Sequence, residues 1–271
     1  MYVTMIEERI LEILKENPTL SNREIGKLVN KTRGTIQYYL NKLNIHRDRK
    51  VQQKLNNTCR QKSINITPKA EQIILGSILG DGYMSPNRHP EDTHLTLNSE
   101  LRISHGIKQK GYIEYKKHLL EKEGIRCTLN YIDTSKQKKH YIKGLEVISK
   151  GAYRLKTQRN VSFNYYRDMF YRPNKKLCRY LYKLDALGLA IWFMDDGFKN
   201  GRGWVLSTDC FTVKEVHLLR NILKHNFDLD TTVRNSNLGD PQIYIRTSSR
   251  EKFLKLVSPY ICNCMHYKLE L

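Results

Sequence analysis

Two copies of one short pattern set the strongest limit on what this chain folds into. An apolar, helix-like run ends in Asp-Gly at Ile74-Leu-Gly-Ser-Ile-Leu-Gly-Asp-Gly82, and another does so at Leu189-Ala-Ile-Trp-Phe-Met-Asp-Asp-Gly197. Each copy places an acid in the last helical turn, where the helix dipole disfavours it, with a glycine behind it as the expected left-handed cap. A placement that costs stability in both copies points to function. If the two helices pack side by side and parallel, Asp81 and Asp196 meet at one end of the pair. Two close carboxylates repel unless they share a proton or hold a cation. Asp-Gly is also ordinary turn chemistry, but two copies a domain's length apart, each leading into a polar β-like segment, outweigh that reading.

The 271 residues hold one large domain or two modest ones. A formal charge of +20, spread along the chain, marks a protein drawn to polyanions, nucleic acid first and acidic membrane second. No apolar run approaches the roughly 18 residues of a membrane span, no basic amphipathic helix with a broad apolar face stands out, and no signal-peptide pattern opens the chain. The expectation is an intracellular protein of cytoplasm, nucleoid or organelle, with no membrane partner. Six scattered cysteines without C-x-x-C spacing fit a reducing compartment, and Cys262, Cys264 and His266 lack the usual spacing of zinc ligands. The 17 tyrosines suit a surface that contacts sugar and phosphate, and suit β-strands equally.

Residues 1–45 read as three short helices. The first carries Ile6, Ile10, Leu11, Ile13 and Leu14; the second opens with the capping box Ser21-Asn-Arg-Glu24 and carries Ile25, Leu28 and Val29; the third opens at Lys31 or Thr32 and carries Ile36, Tyr39, Leu40 and Leu43. The stretch Leu20 to Leu43 resembles the helix-turn-helix of bacterial DNA-binding regulators. That resemblance implies a third helix in a major groove, with Thr32, Arg33, Thr35, Gln37 and Tyr38 facing DNA. Residues 46–67 form a polar, basic linker whose Arg47, Arg49 and Lys50 are suited to a phosphate backbone. Thr67-Pro68 then starts the helix of the first Asp-Gly motif.

From there strands and helices alternate twice, over 68–184 and 185–271. The first round has β-like segments near 94–97, 101–104, 125–131 and 145–149 and a helix near 108–122, and 153–163 leads to a helical stretch before Pro173. The second has a strand at 204–209, a helix opened by the box Thr212-Val-Lys-Glu215, strands near 231–234 and 243–246, and a last helix opened by Ser248-Ser-Arg-Glu251. Each half presents a basic antiparallel sheet: Arg102, Lys108, Arg126, Arg154, Lys156 and Arg159 in one, and Arg234, Arg246 and Arg250 with Tyr244 in the other.

With these residues in place, the two motifs resemble the LAGLIDADG signature of homing endonucleases, in the single-chain form with both copies in one polypeptide. The likeness covers about residues 68–271. It is most specific in the second half, where Leu189–Gly197, Leu206-Ser-Thr-Asp-Cys-Phe-Thr212, Ile243-Tyr-Ile245 and Tyr267-Lys-Leu269 fall in the family's order. The resemblance implies an α+β fold: two αββαββα subdomains related by a pseudo-twofold axis, motif helices at their interface, and two four-stranded saddles along a DNA major groove. It implies Asp81 and Asp196 as metal-binding catalytic carboxylates, with Gly80 and Asp195 beside them in the metal set. Lys176 and Lys268 become active-site lysines, with Lys175 as the alternative to Lys176. Gly76 and Gly80, four residues apart, fit a close helix approach, whereas Ile191, Trp192 and Phe193 make the second copy bulkier.

The likeness further implies a metal-dependent endonuclease that cuts both strands of a long duplex, acting as a monomer. Oxygen ligands favour Mg²⁺, with Mn²⁺ as an alternative and Ca²⁺ as a non-catalytic substitute. The competing reading is a non-catalytic nucleic-acid binder on the same scaffold, an intron RNA maturase or a transcription regulator. Retention of both Asp81 and Asp196 favours the enzyme, and a starting Met1 speaks for an intron-encoded or free-standing gene over an intein.

Overall fold

Each of the three N-terminal helices begins with a hydroxyl that satisfies its own free amides. In this computed structural model, α1 (Met5–Glu16) opens with a Thr4–Glu7 capping box, α2 (Asn22–Leu28) with the expected Ser21–Glu24 box, and α3 (Arg33–Lys42) with Thr32, whose hydroxyl accepts from the Thr35 amide. The structure describes residues 4–17, 20–45, 63–88, 96–133, 140–142, 145–147, 151–171, 175–236 and 239–269. Ile10, Ile13, Ile25, Ile36 and Leu40 form the core of this helical unit, and Lys42 ties α3 to α1 through Glu7 at 2.7 Å. The α2–α3 turn passes through Asn30 in the left-handed region, φ 53°, and the Lys31 amide returns to the Gly26 carbonyl at 2.8 Å. A β-carbon on Gly26 would collide with the Lys31 carbonyl, so the turn is this tight only with glycine there. Leu28, which the helical period places inside, is 63% exposed, because α2 spans just two turns before the chain leaves it.

The chain divides into two compact units, residues 1–63 with 87–98 and residues 64–86 with 99–271. Apart from residues 87–98, the larger holds two repeats. The first runs α4 (Pro68–Leu79), β1 (Gly82–Arg88), β2 (Thr96–Gly106), α5 (Lys110–Lys122), β3 (Cys127–Ile132), β4 (His140–Ile142), β5 (Leu145–Val147), β6 (Ala152–Thr157) and α6 (Asn164–Tyr171). The second runs α7 (Ala186–Asp196), β7 (Gly197–Asn200), β8 (Gly203–Ser207), α8 (Val213–Phe227), β9 (Thr231–Asn235), β10 (Pro241–Ile245) and α9 (Arg250–Val257). Strand order is the same in both sheets, β1-β2-β6-β3 and β7-β8-β10-β9, and the β4–β5 hairpin is an addition to the first repeat. The expected αββαββα repeat is therefore present twice. Residues 96–97 and 101–104 of the two expected segments fall in one 11-residue strand, β2, and 94–95 lie outside the described residues.

α4 and α7 pack against each other at the centre of a shared core. Gln72 accepts from the Asp185 amide and donates to the Lys183 carbonyl, both at 2.8 Å. One turn on, a β-carbon at Gly76 would overlap the Gly188 carbonyl and lie 2.8 Å from Ile191 Cβ; at Gly80 it would overlap the Asp195 side chain. These contacts advance together along both helices, so the helices are parallel, and bare glycine on α4 receives bulk from α7.

Two local expectations are corrected. Neither motif glycine is a left-handed cap: Gly197 has φ −84°, and Gly82 is not among the positive-φ residues. Close approach requires them instead. A β-carbon on Gly82 would lie 2.6 Å from the Ser77 carbonyl oxygen, and one on Gly197 would lie 2.5 Å from that of Phe193, because each strand folds straight back over the last helical turn. The Ser248–Glu251 capping box does not form either. Asp230 takes over those serines, with Ser249 Oγ accepting from its amide at 2.7 Å and Ser248 Oγ donating to its carboxylate.

Candidate functional site

α4 ends at Leu79, so Asp81 lies just past the helix, whereas α7 continues through Asp196 and its ladder closes with the Gly197 amide on the Phe193 carbonyl. The Asp81 amide, outside any helical ladder, donates instead to Asp195 Oδ2 at 3.2 Å. The Asp195 carboxylate is fully buried. It receives Lys116 Nζ at 2.6 and 2.8 Å and the Tyr112 hydroxyl at 2.7 Å, and the Lys116 side chain is itself fully buried on α5. Lys268, in the 3-10 turn Asn263–Lys268, donates to the carbonyls of Met194 at 2.6 Å and Asp195 at 3.0 Å, so a cation caps the negative end of α7.

The electrostatics separate the three acids. Burial, then the neighbouring charge of Asp195, raises the Asp81 carboxyl above its usual range. Burial, then Asp81 and then Asp195, pushes Asp196 up to about 7. Burial lowers Lys268 against the opposing pull of Asp195, Asp196 and Asp81. Burial and the Lys116 charge hold His105 down to about 4, a neutral ring at pH 7, with Nδ1 3.4 Å from Asp81 Oδ2 and Nε2 3.7 Å from Asp195 Oδ1. Ligand atoms of Asp81, His105 and Asp195 all lie within 4.8 Å of one another. Asp195 already has its counter-charge in Lys116. Asp81 and Asp196 are partly exposed, and the Asp81 charge makes Asp196 costlier to ionise, which a divalent cation between them would relieve. An oxygen-dominated donor set of this kind fits Mg²⁺.

Of the residues expected from sequence, Asp81, Asp195, Asp196, Gly80 and Lys268 come together at one end of the α4–α7 pair. Gly80 serves there as the hollow that admits Asp195. Of the two loop lysines, Lys175 is the one whose charge lowers Asp81, and its Nζ lies 5.2 Å from the centre of the Phe211 ring; Lys176 is exposed and bonds Phe170 through its backbone.

On the first sheet, Arg102 pairs with Lys156 and Ser104 with Arg154 in register, and Thr128 and Asn130 of β3 continue the same face, giving a basic surface. Arg102 and Arg159 both bind Glu100, so their charge there is partly neutralised. On the second sheet, Arg234 stands opposite Gln242, its guanidinium 5.6 Å from the Tyr244 ring and 5.9 Å from that of Phe198. Arg234, Gln242 and Phe198 border a cleft of about 430 Å³ that Asp209 and Asn200 also line. Arg246 is exposed just beyond β10.

In the helical unit, Arg33, Gln37 and Tyr38 are exposed on α3, Thr35 turns its hydroxyl to Thr32, and Gln37 links Asn22 to Asn41. Arg47, Arg49 and Lys50 lie outside the described residues.

Sequence reasoning missed Tyr112, Lys116 and His105. One signal for Lys116 was available: it stands on the inward stripe of α5 with Tyr112, Ile113 and Leu120, an i, i+4, i+8 series in which a lysine is out of place.

Two helix-strand-strand-helix-strand-strand-helix repeats, joined through parallel central helices with an acid at the end of each, define a two-motif LAGLIDADG protein. Residues 71–253 match the model of the LAGLIDADG DNA endonuclease family, and the chain belongs to that family. Residues 6–44 match winged helix-turn-helix DNA-binding domains.

The chain is 31% identical over 230 residues to the cytochrome b mRNA maturase bI2 of Saccharomyces cerevisiae, covering 79% of this chain and 49% of the maturase, so it spans about half the length of that relative. It is 30% identical over 209 residues to the probable intron-encoded endonuclease 1 of Wickerhamomyces canadensis, covering 73% of this chain and 83% of that one. Among solved structures, the homing endonuclease I-WcaI bound to its DNA recognition sequence superposes with a TM-score of 0.62 at 26% identity, over 79% of this chain and 90% of that one. Among the described residues no helix is long and apolar enough to cross a membrane.

Proposed function

We propose that this protein is a site-specific endonuclease that hydrolyses both strands of a long DNA duplex, one cut per half, leaving a staggered break. The observation that carries this reading is the meeting of Asp81 and Asp196, both partly exposed and both with raised carboxyls, Asp196 in part through the charge of Asp81, beside the buried Lys268. In this reading Asp81 and Asp196 hold divalent ions, Mg²⁺ or Mn²⁺, which when bound supply an activated water and positive charge at the scissile phosphate. Lys268, with its head on the α7 carbonyls, and Lys175 in the field of Asp81 place further positive charge on either side. Such electrostatic support is worth about 3 kcal/mol per well-placed group. The two sheets present Arg102, Arg154 and Lys156, and Arg234, Tyr244 and Arg246, to phosphates and base edges. The helix-turn-helix lengthens the contacted duplex through α3. Both motifs lie in one chain, so a monomer suffices.

The test is Mg²⁺-dependent cleavage of duplex DNA carrying the joined sequences that flank the gene or its host intron. Two staggered cuts, abolished by chelator and by Asp81→Asn, establish the enzyme.

A second reading rests on the similarity to the yeast maturase over most of this chain: an RNA maturase that binds its intron and cuts no DNA. Tight intron RNA binding with no DNA cut at any divalent metal would favour it.

A further inference from the structure

We propose that Asp195 and Lys116 form a positioning pair for Asp81, present in the first half of the site alone, and that this pair sets the balance between the two strand cuts. The inference rests on the endonuclease reading above and assigns Asp195 a role other than metal ligand.

Both carboxylate oxygens of Asp195 are engaged. Oδ1 accepts from Lys116 and Tyr112, and Oδ2 accepts from Lys116 and from the Asp81 amide. A cation at Asp195 would have to displace a buried ammonium 2.6 Å away. What Asp195 does instead is reach across the helix interface, through the gap left by Gly80, and fix the backbone of the acid on the other helix. Asp81 needs that support because α4 stops two residues before it. Asp196 does not, because it is the last residue of an unbroken α7 whose end carbonyls Lys268 caps.

The helices behind the two motifs repeat the contrast. α5 points Tyr112, Ile113, Lys116 and Leu120 inward, while the buried residues of α8 are Val216, Leu219, Ile222 and Leu223, all apolar. A fully buried ion pair is weak evidence for stability, since apolar packing of similar volume does as well or better. Its presence behind one acid and its absence behind the other therefore point to control of geometry.

The test compares single-turnover cutting of each labelled strand by the full-length protein. In the charge-balanced variant Lys116→Met/Asp195→Ala the Asp81 amide loses its acceptor. One strand should slow by about tenfold or more, the other much less, so that nicked duplex accumulates, in keeping with what a misplaced catalytic group costs. Lys116→Met/Asp195→Asn keeps an oxygen for that amide and should restore even cutting. Equal slowing of both strands in the alanine variant, or no slowing, overturns the proposal.

Hydrogen exchange at the Asp81 amide, followed by NMR, reads the same contact without cleavage. Protection should fall in the alanine variant and persist in the asparagine one, and protection unchanged in both overturns the proposal. Should the unaltered protein cut no DNA while the exchange result holds, the endonuclease reading fails and the Asp195–Asp81 contact stands.

Discussion

The two halves of the larger unit share strand order and carry one acid each, yet they finish their central helices in opposite ways. α4 is hollow where it meets its partner, with Gly76 and Gly80, and unwinds before Asp81. α7 fills those hollows with Ile191 and Asp195 and runs unbroken to Asp196. The strand order is the part of a repeat that tolerates no change, whereas the contact surface can diverge as long as one side yields what the other gains.

The largest expected effect tests whether the halves are chemically equivalent despite this. Asp81→Asn and Asp196→Asn should each lower cleavage by about 10²–10³-fold or more, with duplex binding in Ca²⁺ unchanged, as measured by single-turnover assay and mobility shift. A variant that cuts normally removes its acid from the site.

Next comes the helix behind each motif. Lys116→Met should lose about 3–5 kcal/mol in denaturant unfolding because it strands a buried Asp195, while Leu219→Met at the corresponding depth of α8 should cost under about 1.5 kcal/mol. Similar losses at both positions would erase the contrast.

Smaller again is the hollow on α4. Gly76→Ala, whose methyl meets the Gly188 carbonyl, should destabilise by about 1–3 kcal/mol. Gly34→Ala on α3, with nothing nearer than 3.8 Å, should gain up to about 1 kcal/mol in the same titration.

The smallest effects lie on the sheet faces. Arg154→Ala and Arg234→Ala should each reduce the slope of log binding constant against log salt by about 0.9, and Arg159→Ala by less, because Glu100 already shares its charge. Equal slopes for Arg154 and Arg159 would show that the Glu100 pair breaks on binding.

Much of this architecture is written locally. Ser21 and Glu24, Thr67 before Pro68, and Thr212 and Glu215 announce helix starts by three-residue chemistry, and each start is where those residues place it. Both Asp-Gly motifs are equally local. The contacts that distinguish the halves are not. Lys116 meets an aspartate 79 positions away, and Gln72 meets Asp185 across 113, distances over which no period or spacing in the chain carries a signal. The same limit explains the Ser248 error: four residues spelled a capping box, but Asp230, 18 positions earlier, had the better claim on those hydroxyls. It also explains why the motif glycines look like turn formers in sequence, when the folded chain uses them as clearance for a returning strand.

The fit of Asp195 into the space left by Gly80 has a consequence for how such a molecule assembles. Two first halves brought together would face each other across an empty notch, with both Asp81 amides lacking an acceptor. Two second halves would force a pair of aspartate side chains into room that holds one. Each half is thus a poor mate for its own copy and a good one for the other, and the single chain keeps the two kinds in equal supply.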